Sequence, residues 1–315
     1  APYLIAMAVS DISKYTKDDF ETAEGVKPRI AEPTNEPIIG VIDTVFDTNA
    51  YFSKWVDYVN TVPDEIEIKK EDSEHGTTIS SIIVDGPALN PELDDGCGHF
   101  RVKHFGVLEE NVGSTFTILM TIRQIVSENK NIKVWNLSLG SKQEIPENYI
   151  SPEAAILDKI QYENDVTFII AGTNKDVGEN GEKRIGAPAD SINSIVVNSV
   201  NFEKKPASYT RTGPVLSFYN KPDLCYYGGD YKKKMVAYGP KGITLVSGTS
   251  YAAPWIARKM AYLIYVMGLR REVAKAMLID SAAGWTPNEE SSTKIGYGVA
   301  PRKIDDITRS KDDEI

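Results

Sequence analysis

Ile38-Ile39-Gly40-Val41-Ile42-Asp43 is a run of apolar and small residues closed by a carboxylate. It shows no polar alternation, so it reads as a parallel strand covered on both faces rather than a half-exposed one. Lys133 to Leu139, Val166 to Ala171 and Ile195 to Val200 read the same way. Helical windows separate them. Ile118, Ile122, Ile125 and Val126 share one face of a helix that Ser114 can cap, and Ser151-Pro152 opens another with Ile156 and Ile160 on one face. The alternation predicts an α/β fold, a mostly parallel twisted sheet with helices on both faces. Segments 85–98 and 175–190, rich in glycine and proline, read as surface loops.

The 315 residues are 41% hydrophobic and 25% charged, which is enough apolar chain to bury a sizeable core and excludes disorder. Lys and Arg number 35 against 45 Asp and Glu, a net charge of −10, which opposes a dedicated nucleic-acid binder. No apolar run reaches the ~18 residues of a membrane span. Cys97 and Cys225 are too few for a disulfide framework or a four-ligand zinc site, although one bridge stays open. The chain begins at Ala1, so removal of an initiator or an upstream segment is expected. At about 150 residues per domain the length fits two domains or one large one.

Four positions carry chemistry. Asp43 ends the first strand, at the carboxyl edge where α/β folds place their sites; a capping or loop acid is the ordinary alternative. His75 starts a helical face continued by Ile79, Ile82 and Ile83, and Gly76 leaves room for chain to pass near the imidazole. A histidine satisfied at a buried helix end would look the same. Ser250 lies in Gly248-Thr249-Ser250-Tyr251-Ala252-Ala253-Pro254, ahead of a helix with Ile256, Met260, Leu263, Ile264 and Met267 on one face and Gly268 as its stop. With Pro254 in a first turn, Ser250 sits at a helix N-terminus, where free N–H groups favour developing negative charge; a plain N-cap serine is the alternative. Asn174, in Ala171-Gly172-Thr173-Asn174, can donate its amide to an oxyanion or occupy a turn.

Taken in the order Asp43, His75, Asn174, Ser250, these positions resemble the subtilisin-like serine proteases, the subtilases. The matching blocks are Val41-Ile42-Asp43-Thr44, His75-Gly76-Thr77, Asn136 to Gly140, Ala171 to Asn174 and Gly248 to Pro254, with Ala207-Ser208-Tyr209, Lys221-Pro222-Asp223 and Gly296-Tyr297-Gly298 in support. The spacings are 32 residues from Asp43 to His75, 99 to Asn174 and 76 to Ser250. The resemblance implies one catalytic domain over 37–310, with an N-terminal arm or partial flank at 1–36 and a charged tail at 311–315. Three departures bear on specificity: Val45 and Thr173 replace usual glycines, the latter narrowing or reshaping the pocket beside Asn174, and Tyr251 replaces a usual methionine.

The resemblance implies a serine endopeptidase. Ser250 attacks a peptide carbonyl, His75 relays the proton, Asp43 orients the imidazole, and the Asn174 amide with the Ser250 N–H holds the oxyanion. Ser138, Leu139 and Gly140 would pair with extended substrate, and Gly172 and Thr173 would line the pocket. The implied partner is a protein or peptide substrate, with no nucleic acid, no membrane and an unassigned oligomeric state. No cofactor is required. Calcium is common in the family, but Glu92, Asp94 and Asp95, or Asp176 and Glu179, lack metal-loop spacing and read as solvated acids. The plain loops lean towards a bacterial cytoplasmic enzyme, with secretion left open. His99 and His104 read as structural or exposed, and the Asn136-Leu137-Ser138 sequon as a buried strand. The competing reading is a peptide-binding or regulatory protein on the same scaffold with latent activity. A nucleotide-binding domain fails for want of a Gly-x-Gly-x-x-Gly after the first strand. An α/β-hydrolase fails on residue order and the missing Gly-x-Ser-x-Gly elbow.

Overall fold

The computed structural model describes residues 21–22, 28–108, 115–138, 140–141, 143–176, 179, 181–282 and 293–309. Ser114, Leu139, Gly178 and the 311–315 tail lie outside the described residues. The strands are β1 (Glu21–Thr22), β2 (Ile38–Thr44), β3 (Val56–Asn60), β4 (Arg101–Leu108), β5 (Val134–Leu137), β6 (Thr167–Ala171), β7 (Ile195–Val200), β8 (Leu224–Tyr227), β9 (Met235–Gly239) and β10 (Gly242–Val246). The principal helices are α1 (Glu74–Leu89), α2 (Thr115–Glu128), α3 (Pro152–Asn164), α4 (Thr249–Ala261) and α5 (Arg271–Asp280).

Seven strands form one sheet in the order β3-β4-β2-β5-β6-β7-β8, and every neighbouring pair is parallel. The chain leaves β2 for the β3 edge, returns through β4, and then crosses β2 to reach β5. The order reverses there, which puts the ligand crevice of an open parallel sheet at the carboxyl ends of β2 and β5. Ile42 pairs with Leu137, and Leu137 with Ile170, so the ends of β2, β5 and β6 are level.

Both faces of the sheet are covered, which explains the unbroken apolar runs. Ile39, Val41, Ile169, Ala171, Ile195 and Val197 pack with Ile79, Ile82 and Ile83 of α1 and Trp255 and Ile256 of α4. Ile42, Trp135, Leu137, Phe168, Ile170 and Val196 pack on the opposite face with Ile118, Ile122 and Ile125 of α2 and Leu157 and Ile160 of α3. Gly40 is required in β2 because a Cβ there would stand 2.2 Å from the Trp135 ring. Ser151 caps α3 as expected, its hydroxyl accepting from the Ala154 N–H at 3.1 Å. β9 and β10 form a hairpin against α1, and β1 pairs antiparallel with β10.

Three sequence expectations change. Residues 85–98 are not a plain surface loop. α1 continues to Leu89 across a break in helical geometry at Asp85, a 3-10 turn follows at Pro91–Leu93, and Asp95 is buried. Pro254 is not in a first turn: α4 begins at Thr249, so Pro254 lies in the second turn and has no N–H to offer the Ser250 carbonyl. α4 has no solvated face either, since Arg258 and Lys259 are as buried as Ile256 and Met260. Arg258 donates Nε to Asp95 Oδ2 at 2.8 Å, Nη2 to Asp95 Oδ1 at 2.8 Å and to the Gly98 carbonyl at 2.8 Å, and Nη1 to the Ile83 carbonyl at 2.6 Å. The Ile83 carbonyl is the one that Pro87 cannot serve within α1, so the guanidinium makes good a helix bond that proline removes.

Candidate active site

The level strand ends bring the four sequence-identified positions to one edge of the sheet. Asp43, in the penultimate position of β2, is buried, and its Oδ1 accepts from the Thr44 N–H at 2.8 Å. His75 is the second residue of α1, and its Nδ1 lies 2.6 Å from the same Asp43 oxygen. A carboxylate only accepts, so Nδ1 carries the proton and Nε2 is left with its lone pair. Gly76 makes this approach possible: a Cβ there would meet the Thr44 carbonyl at 2.4 Å and His104 Cε1 at 2.8 Å. The Gly76 N–H instead donates to Thr44 Oγ1 at 2.8 Å, tying the start of α1 to the end of β2.

Ser250 is the second residue of α4, so its own N–H is one of the helix's free donors. The ring of the next residue, Tyr251, lies 5.9 Å from the His75 ring, centroid to centroid. Asn174 follows β6, and Thr249 fixes its amide: Asn174 Oδ1 accepts from the Thr249 N–H at 3.2 Å and from Thr249 Oγ1 at 3.0 Å. The Nδ2 end therefore faces Gly248, where a Cβ would stand 3.3 Å from it. The single Thr249 hydroxyl proton is shared between Asn174 Oδ1 and the nearer Gly172 carbonyl. Below, Arg211 Nε donates to the Asn174 carbonyl at 2.9 Å. Sequence reading passed over Thr249 and Arg211. Thr249 stands beside Ser250 in the Gly248 to Pro254 block, whereas a buried arginine contributed from another loop leaves no local signal.

His104 is fully buried rather than exposed. Its Nε2–H donates to the Thr44 carbonyl at 2.7 Å, and its Nδ1 accepts from the Ser80 hydroxyl at 2.8 Å. It stands behind the Asp43–His75 pair and supports it through Thr44, which makes it a positioning residue. Burial holds its pKa below the ordinary 6.5, against the opposing hydrogen bond to Thr44. A base with a lowered folded pKa binds its proton more weakly than the unfolded chain does, so stability falls as pH drops below about 6.5, by up to about 1.4 kcal/mol per pH unit. Urea midpoints taken at pH 7 and pH 5.5 should fall less in His104→Gln than in the parent; equal falls would remove His104 as the cause.

The other residues singled out in the sequence have ordinary partners. Glu92 pairs with Lys233 at 2.7 Å, Asp94 with Lys303 at 2.7 Å, and Glu179 with Lys183 at 3.1 Å. No cluster of three metal-ligating side chains occurs among the described residues. Cys97 and Cys225 are free and buried, and burial pushes the Cys97 thiol up to about 12. Asn136 is buried in β5, its amide donating to Ser138 Oγ at 3.1 Å. Lys221 bonds Asp223 Oδ2 at 2.5 Å in the interior, and the Tyr297 N–H donates to the Asp223 carbonyl at 2.8 Å, so the Lys221-Pro222-Asp223 and Gly296-Tyr297-Gly298 blocks brace each other. Ser138, Gly140, Gly172 and Thr173 follow β5 and β6 on the same edge as Asn174.

The family model described as the subtilase family matches residues 34–298. The subtilisin-like protease 2 of Trichophyton rubrum is 28% identical over 152 residues, covering 47% of this chain and 31% of that protein, so the chain spans about a third of this curated relative's length. Among solved structures, the epidermin leader peptide processing serine protease of Staphylococcus aureus superposes with a TM-score of 0.65 at 16% identity, over 89% of this chain and 77% of that one. The prenylagaramide maturation protease PagA gives 0.63 at 20% identity, over 86% of this chain and 92% of that one. These likenesses at low identity bear on the fold, and the family match runs from ahead of β2 to Gly298; the chain belongs to the subtilase family.

Proposed function

We propose that the chain is a serine endopeptidase acting on protein or peptide substrates. The observation that carries this reading is the Asp43–His75 pair, buried at 2.6 Å on the same sheet edge as a helix N-terminus bearing Ser250. His75 Nε2 takes the Ser250 proton as Oγ bonds to the substrate carbonyl carbon, and it later passes that proton to the leaving amine. The acyl group stays on Ser250 until water, deprotonated by the same nitrogen, displaces it. Asn174 Nδ2 and the Ser250 N–H would donate to the carbonyl oxygen as it gains charge. Extended substrate would add alongside Ser138 to Gly140, main chain to main chain.

A fluorophosphonate probe should label the folded chain, with the mass shift on the peptide containing Ser250. Asn174→Ala should lower kcat about 10²–10³-fold through loss of one oxyanion donor. A folded chain that binds peptides yet takes up no probe would favour the regulatory reading instead.

A further inference from the structure

We propose that Thr173 determines specificity: its side chain fills the recess beside Asn174, restricting the substrate residue before the scissile bond to glycine, alanine or serine. The proposal rests on the reading of Ser250 and Asn174 as acyl-transfer groups. A carbonyl carbon bonded to Ser250 Oγ, with its oxygen at Asn174 Nδ2, brings the side chain of its own residue against the segments that flank Asn174. Those segments leave the level ends of β5 and β6, one carrying Ser138, Gly140 and Ser141 and the other Gly172, Thr173 and Asn174.

A third segment closes the space between them. The Ser141 N–H donates to the Ala187 carbonyl at 2.6 Å, and the Ile145 N–H to the Ile185 carbonyl at 3.0 Å. Gly186 presses on Ser141 so closely that a Cβ would lie 2.0 Å from the Ser141 carbonyl oxygen. Thr173 reaches across from the β6 side, its Oγ1 accepting from the Gly186 N–H at 2.9 Å. The recess is thereby spanned by a β-branched side chain. Thr173 is 6% exposed, Ser141 5% and Ile185 1%, values that leave no solvent-filled slot between these three walls.

Thr173 is also held from behind. Its carbonyl accepts from the Arg211 N–H at 3.2 Å, and Arg211 Nε holds the next carbonyl, that of Asn174. A threonine has few χ1 choices, and here one of them is fixed by the Gly186 bond. A large substrate side chain would have to displace it, while a methyl or hydroxymethyl group can rest against it.

The test is a set of fluorogenic peptides identical except for Gly, Ala, Ser, Leu or Phe before the scissile bond, read as kcat/KM for the parent, Thr173→Gly, Thr173→Ala and Thr173→Val. Fluorophosphonate labelling of Ser250 runs in parallel. The parent should prefer Ala to Phe by about 100-fold, within the range a few misfitting carbons command in a closed pocket. Thr173→Gly should raise the Phe-to-Ala ratio about 100-fold and Thr173→Ala about 10-fold, whereas Thr173→Val, which keeps the volume and loses the hydroxyl, should retain the exclusion. A parent that cleaves after Phe as well as after Ala overturns the proposal, as does an unchanged profile in variants that label normally. Absence of labelling in the folded parent overturns the acyl-transfer reading, and the proposal with it.

Discussion

Ser250→Ala is expected, on the proposed mechanism, to lower kcat about 10⁶-fold, the scale on which a serine-protease triad fails when its nucleophile is removed. Asp43→Asn is expected to lower it about 10⁴-fold with the fold intact. The second result is the more informative. Asp43 Oδ1 sits between the Thr44 N–H at 2.8 Å and His75 Nδ1 at 2.6 Å. An asparagine that keeps its oxygen on Thr44 still offers that oxygen to Nδ1 but without the negative charge that would steady an imidazolium, and one that turns its amide towards His75 donates to that nitrogen. The donated bond selects the tautomer with the proton on Nε2, the nitrogen that receives the serine proton in the proposed mechanism. Retention of more than about a tenth of parental kcat in Asp43→Asn would break this account, because no wrong-tautomer enzyme keeps so much. Circular dichroism of both variants should match the parent.

The second large effect concerns stability. Arg258→Leu is expected to cost about 3–5 kcal/mol, because it strands the buried Asp95 carboxylate. For a domain of this size that corresponds to a fall in Tm of roughly 10 °C. Asp95 is 0% exposed and its side chain meets Arg258 through both oxygens, so this is not the weak surface pair that salt-bridge counts usually collect. Burial alone would raise the Asp95 pKa, but the adjacent guanidinium outweighs it and holds the carboxyl below its ordinary 3.8. The stability that goes with this lowered pKa is complete at neutral pH and drains only as pH falls below about 3.8. The double variant Asp95→Leu/Arg258→Leu should lose less than the sum of the single changes, since removing both charges leaves neither unpaired. Additive losses in thermal melts would show that the pair is not coupled.

What the sequence made legible follows from where each signal is stored. The strands announced themselves because a sheet covered on both faces imposes apolar residues at successive positions, as at Ile38 to Ile42 and Ile195 to Val200. The candidate site was legible in Asp43, His75 and Ser250 because each begins or ends an element, where backbone geometry leaves a recognisable local pattern. Arg258 was not legible. It occupies a helix position that periodicity assigns to solvent, and its partner Asp95 lies 163 residues away. His104 was legible only as structural or exposed: alternation along β4 places it on a face, but only the fold buries it and sets Ser80 and Thr44 against its two nitrogens. Segment 85–98 misled because glycine and proline mark turns on average, whereas here Arg258 supplies the bond that Pro87 withholds.

α4 has a consequence for how the molecule comes into being. Every residue of this helix is buried, and it packs against α1, β5, β6, β7 and β8, so the domain cannot close without it. Asp43 and His75 lie in the first third of the chain, while Ser250 rides on this late central piece. A growing chain released up to residue 240 carries Asp43 and His75 but neither Ser250 nor the core of that layer. On the proposed mechanism, hydrolysis therefore has to wait until this helix has been made and folded into place.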